Sequence, residues 1–438
     1  MNKLSPIHYV FAALLLALNG WQAYDIHQNE FYRLLACQGP FFALYLWLCF
    51  RQDQDDSSIR FYTVLGIVLR LMLLFSMPLL SDDLYRFIWD GRLLIQGINP
   101  FDLLPADYMQ QDVPPTGLNQ ALFDKLNSPE YFTIYPPVCQ GVFATACWMY
   151  PSSISGAALV MKAALIAMEI GSILLIGRLL QALHLPARNV LFYALNPLII
   201  LEISGNLHFE GAMVFFLLLA LWWMIKDRLD WSAAAMALSI ASKLLPLLFL
   251  PLLLRHLGWK KSIRYYFITG LIVLALFIPL FNGAFLSNFG DSLDLYFRKF
   301  EFNASLYYLL RWIGFQASGY NLIAFIGPTL AAAVFLSILW LSFRRVADTS
   351  LSKLPEFMLY AITIYLFSAT TIHPWYVSLP VVLCLFTPYR YPIVWSALIG
   401  LTYINYSYEP YHENLWIVGL EYSLVICYFI WERVKRNP

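Results

Sequence analysis

The sequence predicts an all-α polytopic membrane protein, and three observations lead there. Hydrophobic residues make up 60% of the 438-residue chain. Charged residues make up only 13%, against roughly 25% in soluble domains. Enlarging a soluble core cannot account for the deficit, because even a large soluble protein must wet its surface. Third, the apolar residues come in long blocks rather than amphipathic stripes. The net charge of +1 offers no global basic field, which excludes nucleic acid as a partner.

The elements follow in chain order. Block 6–24 lacks a small-x-small cleavage site and outruns a signal-peptide core, so it reads as an uncleaved first span. Blocks 61–80, 157–176, 209–225, 263–280 and 322–343 each approach the ~20 residues that cross a ~30 Å hydrocarbon layer. Block 138–150 is too short for a comfortable crossing and reads as a dipping or short helix. Blocks 231–242 and 244–254 are also short, with Lys243 between them. That pattern fits interrupted helices, which membranes tolerate only where protein or water encloses them. The expectation is one transmembrane domain over 1–438 with about 11–14 membrane helices. The six cysteines all lie in apolar stretches and read as buried small hydrophobes rather than a disulfide framework. The seven histidines show no spacing suited to zinc.

Lys and Arg in short loops set the orientation. Basic loops at 178–188, 226–228, 255–264, Arg344-Arg345, Arg390 and Lys435-Arg436 are assigned to the cytoplasm. Lys3 and loop 51–60 then place 81–137 outside, together with the insertions 205–208, 242–243, 282–320 and 373–375. Loop 81–137 is long, and loops of that length are commonly functional or disordered. Its aromatics (Tyr85, Phe87, Trp89, Phe101, Tyr108, Phe123, Tyr131, Phe132 and Tyr135) argue for order at a headgroup interface.

Within that loop, Ser81-Asp82-Asp83-Leu84-Tyr85-Arg86 predicts a helix start. Ser81 is the expected N-cap, Asp82 and Asp83 the first turn, and Gly97 with Asn99-Pro100 the stop. Asp83, Phe87 and Asp90 would share a face, with Arg86 one turn from three carboxylates. First-turn aspartates also stabilise a helix dipole. A carboxylate cluster at one membrane depth among aromatics nevertheless points to function. A sugar on a polyprenyl phosphate carries a good leaving group. Its transfer needs a base for the acceptor hydroxyl and cations for the departing phosphate. The donor tail stays in the bilayer, which gives the catalyst a reason to be embedded.

The string from Ser81 through Trp89-Asp90-Gly91-Arg92 to Gly97-Ile98-Asn99-Pro100-Phe101 resembles the first outer loop of bacterial polyprenol-phosphate-mannose-dependent mannosyltransferases. These are GT-C membrane glycosyltransferases, more distantly similar to the glycosylphosphatidylinositol-anchor mannosyltransferases. Thr133-Ile134-Tyr135-Pro136-Pro137, Asn196-Pro197 with Gly205-Asn206-Leu207-His208-Phe209-Glu210-Gly211, and Ser242-Lys243-Leu244-Leu245-Pro246 resemble the family's later segments, in order. The resemblance covers residues 80–255. It implies a GT-C-like bundle with an ordered, partly helical catalytic loop 81–137 and a second outer loop 282–320. It further implies inverting transfer of a sugar, mannose first, from a polyprenyl-phosphate donor to a glycan or glycolipid acceptor, at the outer face of a bacterial inner membrane. Carried onto this chain, the base is Asp83 or Asp82. Asp90, Arg86, Arg92 and Tyr135 bind the acceptor or orient the helix.

For the donor phosphate the expected contacts are Lys243, His208, Glu210, Arg298, Lys299 and His373. Lys243 is a compact point charge suited to phosphate. His208 and Glu210 sit at a helix mouth, Arg298 and Lys299 follow the amphipathic stretch 293–297, and His373 is followed by Pro374 and Trp375. The acidic pair could also hold a divalent cation, and no metal is assigned. Glu169, in mid-span, is expected to pair with a polar neighbour. The competing class is a transporter or flippase, which would carry polar residues near mid-membrane and internal symmetry. No repeat is visible.

Overall fold

The computed structural model describes residues 4–51, 55–344 and 350–436; Lys3 and Arg345 lie outside them, as do the side chains of Leu293, Leu295, Tyr296 and Phe297. The described chain is all-helical, with a single isolated parallel bridge between Phe302 and Thr371. Five helices are long and apolar enough to cross a membrane: Phe31–Phe50, Ile154–Ala182, Leu245–Leu280, Ile323–Phe343 and Leu415–Arg436. Pro197–Gly205 and Glu210–Ile225 make a sixth if joined, although they meet at 111°. The expected 11–14 crossings are reached only if shorter and broken helices cross as well.

The first helix runs Pro6–Tyr24, the bounds that block 6–24 predicts, although it is not one of those five. The next block behaves differently. Its helix, Asp56–Met72, stops well before Leu80. The reason is local: Lys162, fully buried in Ile154–Ala182, donates to the carbonyls of Leu73, Ser204 and Gly205 and to Ser76 Oγ. These carbonyls lie outside regular α-helix, and an ammonium among them satisfies what the backbone leaves open. Residues 73–82 are thereby free to turn toward the site.

Glu169 does find a partner. Arg70 Nε lies 2.9 Å from Glu169 Oε2, and both side chains are fully buried. Arg70 also donates to the carbonyls of Gly66, Ala194 and Tyr193, while Tyr193 donates to Glu169. The pair ties three segments together and lies apart from the acidic motif. Of the cysteines, five are buried, but Cys427 is exposed, contrary to the sequence reading. It sits on the outer surface of Leu415–Arg436, where a bilayer rather than protein would cover it.

Short helices position the site. Asp83–Leu94 packs on Pro137–Met149, the short helix expected at 138–150. They approach closely at Gly91, where an added Cβ would lie 2.5 Å from the Phe143 carbonyl oxygen. Glu210–Ile225 runs from the polar insertion at 205–208 to Lys226, and Leu229–Ser242 returns to Lys243. A 16-residue helix is about 24 Å long, so these two separate the polar insertions from the basic turn at 226–228. Other basic turns meet one another: Arg188 donates to the Arg51 carbonyl, Arg255 to that of Arg344, and Lys261 pairs with Asp227.

Candidate functional site

The helix bearing the acidic motif begins one residue later than the sequence suggests. Asp82 is the N-cap and Asp83 the first helical residue, while Ser81 Oγ accepts from the Asp83 N–H at 3.3 Å. The shift matters chemically. At the start of the first turn, the Asp83 carboxylate is caught from two sides. Asn127 Nδ2 donates to Oδ1 at 2.9 Å, and the Tyr135 hydroxyl donates to Oδ2 at 3.1 Å. Asp82 is exposed at the cavity mouth. Partial burial, reinforced by the neighbouring Asp83 charge, raises its pKa above the ordinary carboxylate value.

Both aspartates open into a cavity of about 280 Å³. Its walls come from far-apart segments: Ser81 and Arg86, the 127–135 strip, Lys243, Phe300, the turn at His373-Pro374-Trp375-Tyr376, and Tyr406. The polar insertions of the sequence reading therefore converge. His208 stands behind Asp83, its Nε2 3.8 Å from Oδ2. It is buried and stacks flat on Trp375, with ring centroids 3.6 Å apart.

Lys243 occupies the break between Leu229–Ser242 and the 3-10 turn Leu245–Phe249, in extended backbone. Its Nζ lies 2.5 Å from Glu210 Oε1 and over the Tyr376 ring. Glu210 is buried, so its role here is toward Lys243 rather than toward a phosphate. Lys243 also lines a second, apolar cavity of about 340 Å³. That groove runs between Leu244, Leu247 and Leu248 on one side and Gly327, Ala331 and Val334 of Ile323–Phe343 on the other. Ile134, Lys243 and Tyr376 belong to both cavities.

The remaining expected residues divide by position. Arg86 lines the cavity but is committed: it pairs with Asp90 at 2.9 Å and donates to the Tyr131 carbonyl. Asp90 is fully buried, accepts from Gln140 Nε2, and does not line the cavity. Arg86 thus pairs with one carboxylate of the expected three. Arg92 donates to the Gly117 carbonyl and pins the loop. These three hold the helix against the rest of 81–137. Arg298 and Lys299 are exposed at the end of Phe285–Arg298, where Arg298 pairs with Asp294, and neither lines the cavity. His373 lies between Phe302 and Trp375, and desolvation there drives its pKa down to about 3, so it is neutral and adds no cation. Among the described residues no group of three or more His, Cys, Asp or Glu has metal-holding geometry.

The sequence reading missed Glu202, Tyr403, Asn127 and Tyr406. Glu202 is fully buried in the π-turn Ile200–Gly205 and accepts from Tyr403 and Asn206. An acidic residue inside an otherwise apolar run was the available signal.

The motif glycines and asparagines fit this frame. Gly97 has φ +73°, a conformation in which a side chain would be strained. Asn99 Nδ2 donates to the Leu280 carbonyl at 2.6 Å, docking the second polar loop on the first. The alpha-(1->6)-mannopyranosyltransferase family model, N-terminal domain, matches residues 13–258, more than half of the chain. No curated protein matches it. The chain belongs to that family: it is a membrane-embedded GT-C-like mannosyltransferase, and the transporter reading loses its support.

Proposed function

We propose that this mannosyltransferase takes mannose from a polyprenyl-phosphate donor and passes it, with inversion, to a hydroxyl of a glycan or glycolipid acceptor. One observation carries the reading: an apolar groove and an acidic cavity meet at Lys243. A lipid phosphate at that junction would lay its tail between Leu244–Leu248 and Ile323–Phe343, and its sugar would project over Asp83. A soluble nucleotide-sugar donor would have no use for such a groove.

Asp83 is the base in this scheme. Asn127 and Tyr135 fix its carboxylate in place, whereas Asp82 is freer and more exposed. The acceptor hydroxyl attacks C1 on the face opposite the phosphate and gives its proton to Asp83. The C1–O bond to phosphate breaks with its electron pair on the phosphate, where Lys243 receives the charge. One displacement at C1 inverts the anomeric configuration. The clustering of basic turns away from the site supports an outward-facing site in a bacterial inner membrane, with 81–137 and 282–320 as its outer loops.

The test uses protein in lipid nanodiscs with polyprenyl-phosphate mannose, following release of polyprenyl phosphate. Asp83→Asn should lower transfer by roughly 10²–10⁴-fold, the usual weight of a general base, while the protein still accumulates. Asp82→Asn should keep transfer within about tenfold. Full transfer by Asp83→Asn would remove the assignment of the base. Equal loss in both variants would make the pair, not Asp83, the catalytic unit.

A further inference from the structure

His208 has its two ring nitrogens in unlike surroundings. Nδ1 lies 2.9 Å from the Glu202 main-chain carbonyl and 3.2 Å from Glu202 Oε2. A carbonyl oxygen only accepts, so Nδ1 must carry hydrogen. In the neutral ring the lone pair then sits on Nε2. That atom is buried, has no hydrogen-bond partner, and faces Asp83 Oδ2 at 3.8 Å. A base site therefore adjoins the carboxylate that receives the acceptor's proton.

We infer that His208 relieves Asp83 of that proton during transfer and that Glu202 is the positioning residue that makes this possible. The inference rests on the assignment of Asp83 as base. As the acceptor oxygen bonds to C1, its proton moves to Asp83 Oδ2 and then to His208 Nε2. Asp83 returns to carboxylate, and the leaving phosphate keeps the electrons of the broken C1–O bond. The 3.8 Å separation exceeds a hydrogen bond of about 3 Å and must shorten when substrate fills the cavity, as catalytic contacts commonly do. Glu202 then faces a cationic ring and offsets its charge.

The surroundings favour this use. Glu202 is itself held by the Tyr403 hydroxyl at 2.8 Å and by Asn206 Nδ2 at 3.2 Å, and Asn206 Oδ1 accepts from the Leu80 N–H leading into the acidic motif. Trp375 covers one face of the ring and fixes its plane. The ionisable groups around His208 are Asp83 from the acidic helix, Glu202 from the π-turn, and His373 beyond Trp375. His373 is neutral, so the charges in ion-pair contact with the ring are the two carboxylates, while the Lys243 ammonium stands at the same cavity as Asp83.

Glu202→Gln keeps the shape and the Tyr403 bond but removes the charge that stabilises a protonated ring. The relay predicts a fall in kcat of about tenfold or more with little change in KM for polyprenyl-phosphate mannose. It also predicts that the acid limb of the pH–rate profile moves to lower pH, because a ring with one carboxylate neighbour instead of two protonates only at lower pH. If His208 instead rests as a permanent cation that weakens Asp83, Glu202→Gln should leave the rate unchanged or raise it, which overturns the relay. A reduced rate with an unmoved acid limb means a structural role only and overturns it too. His208→Gln, which cannot take the proton, should lower kcat at least as far and leave no limb set by the ring, only the one that a carboxylate base itself imposes, so the relay stays testable even if Glu202→Gln folds poorly. Retained transfer by Asp83→Asn would instead remove the assigned base, a separate failure.

Discussion

Replacing Lys243 by Met should separate the ion pair that its ammonium makes from the phosphate contact proposed for it. In the protein as it stands, Nζ lies 2.5 Å from the Glu210 carboxylate, and the two side chains are 20% and 1% exposed. Removing one member of a buried ion pair costs about 3–5 kcal/mol, because the remaining charge is left in a poor solvent. The partial exposure of Lys243 places the expected loss near the lower end, about 3 kcal/mol. Independently, a hydrogen bond from an ammonium to a phosphate contributes about 1.5–3 kcal/mol, or roughly 10–150-fold in binding or rate. The double variant Lys243→Met with Glu210→Gln should recover most of the stability, since no lone carboxylate remains buried. It should recover none of the donor interaction. Thermal inactivation in nanodiscs reads the first effect, and kcat/KM against polyprenyl-phosphate mannose reads the second. A double variant with wild-type kcat/KM would refute the placement of the donor phosphate at Lys243.

Three other perturbations follow from the packing and charge of the fold. Arg70→Met should destabilise the protein by about 3–5 kcal/mol, and adding Glu169→Gln should restore much of that in denaturant unfolding; a single variant no worse than the double would mean the pair is not coupled. Gly91→Ala places a methyl 2.5 Å from the Phe143 carbonyl oxygen, so Asp83–Leu94 must shift from Pro137–Met149; about 1–3 kcal/mol should be lost, with transfer falling because Asp83 rides on that helix. Glu413, in the loop before Leu415–Arg436, accepts from the Asn303 N–H, and burial raises its pKa to about 7. The folded state therefore holds a proton that the unfolded chain releases near pH 4.5. This contribution is full below that pH and is lost as pH rises through about 7. Thermal midpoints at pH 5 and pH 8 should differ less in Glu413→Gln than in the parent.

The sequence carried the architecture because membrane insertion writes itself in long apolar runs. Pro6–Tyr24 and Ile323–Phe343 match their blocks to within a residue. It also marked Asp83, Lys243 and His373, which line the acidic cavity, and His208, which stands behind Asp83, each as a polar interruption of an apolar context. What failed was anything decided by side-chain geometry across distant segments. Of the two roles left open for Asp90 and Arg86, acceptor contact or helix orientation, the linear string could not choose; their bonds to each other and to Gln140 and Tyr131 fit the second. Arg298 and Lys299 supply charge of the right sign, but are exposed and do not line the cavity. Lys162 passed unnoticed because one lysine hardly lowers the hydropathy of a 29-residue helix.

Lys162 also explains why the site can exist where it does. A cavity lined from seven far-apart segments needs the chain to leave helical geometry, and each departure strands backbone groups that a bilayer will not solvate. Here the turn at 73–82 and the π-turn Ile200–Gly205 hand their carbonyls to one ammonium, while Asn196 Oδ1 accepts from the Ile199 N–H and Asn206 from that of Leu80. The π-turn, once stabilised, brings Glu202 and His208 inward on consecutive bends, with Leu207 at φ +64° between them. A regular helix would have spaced them over more than one turn, on different faces. Strain at Leu207 of about 1–3 kcal/mol is therefore the structural cost of aligning Glu202, His208 and Asp83. The buried polar residues around the breaks are what allow the fold to hold that alignment.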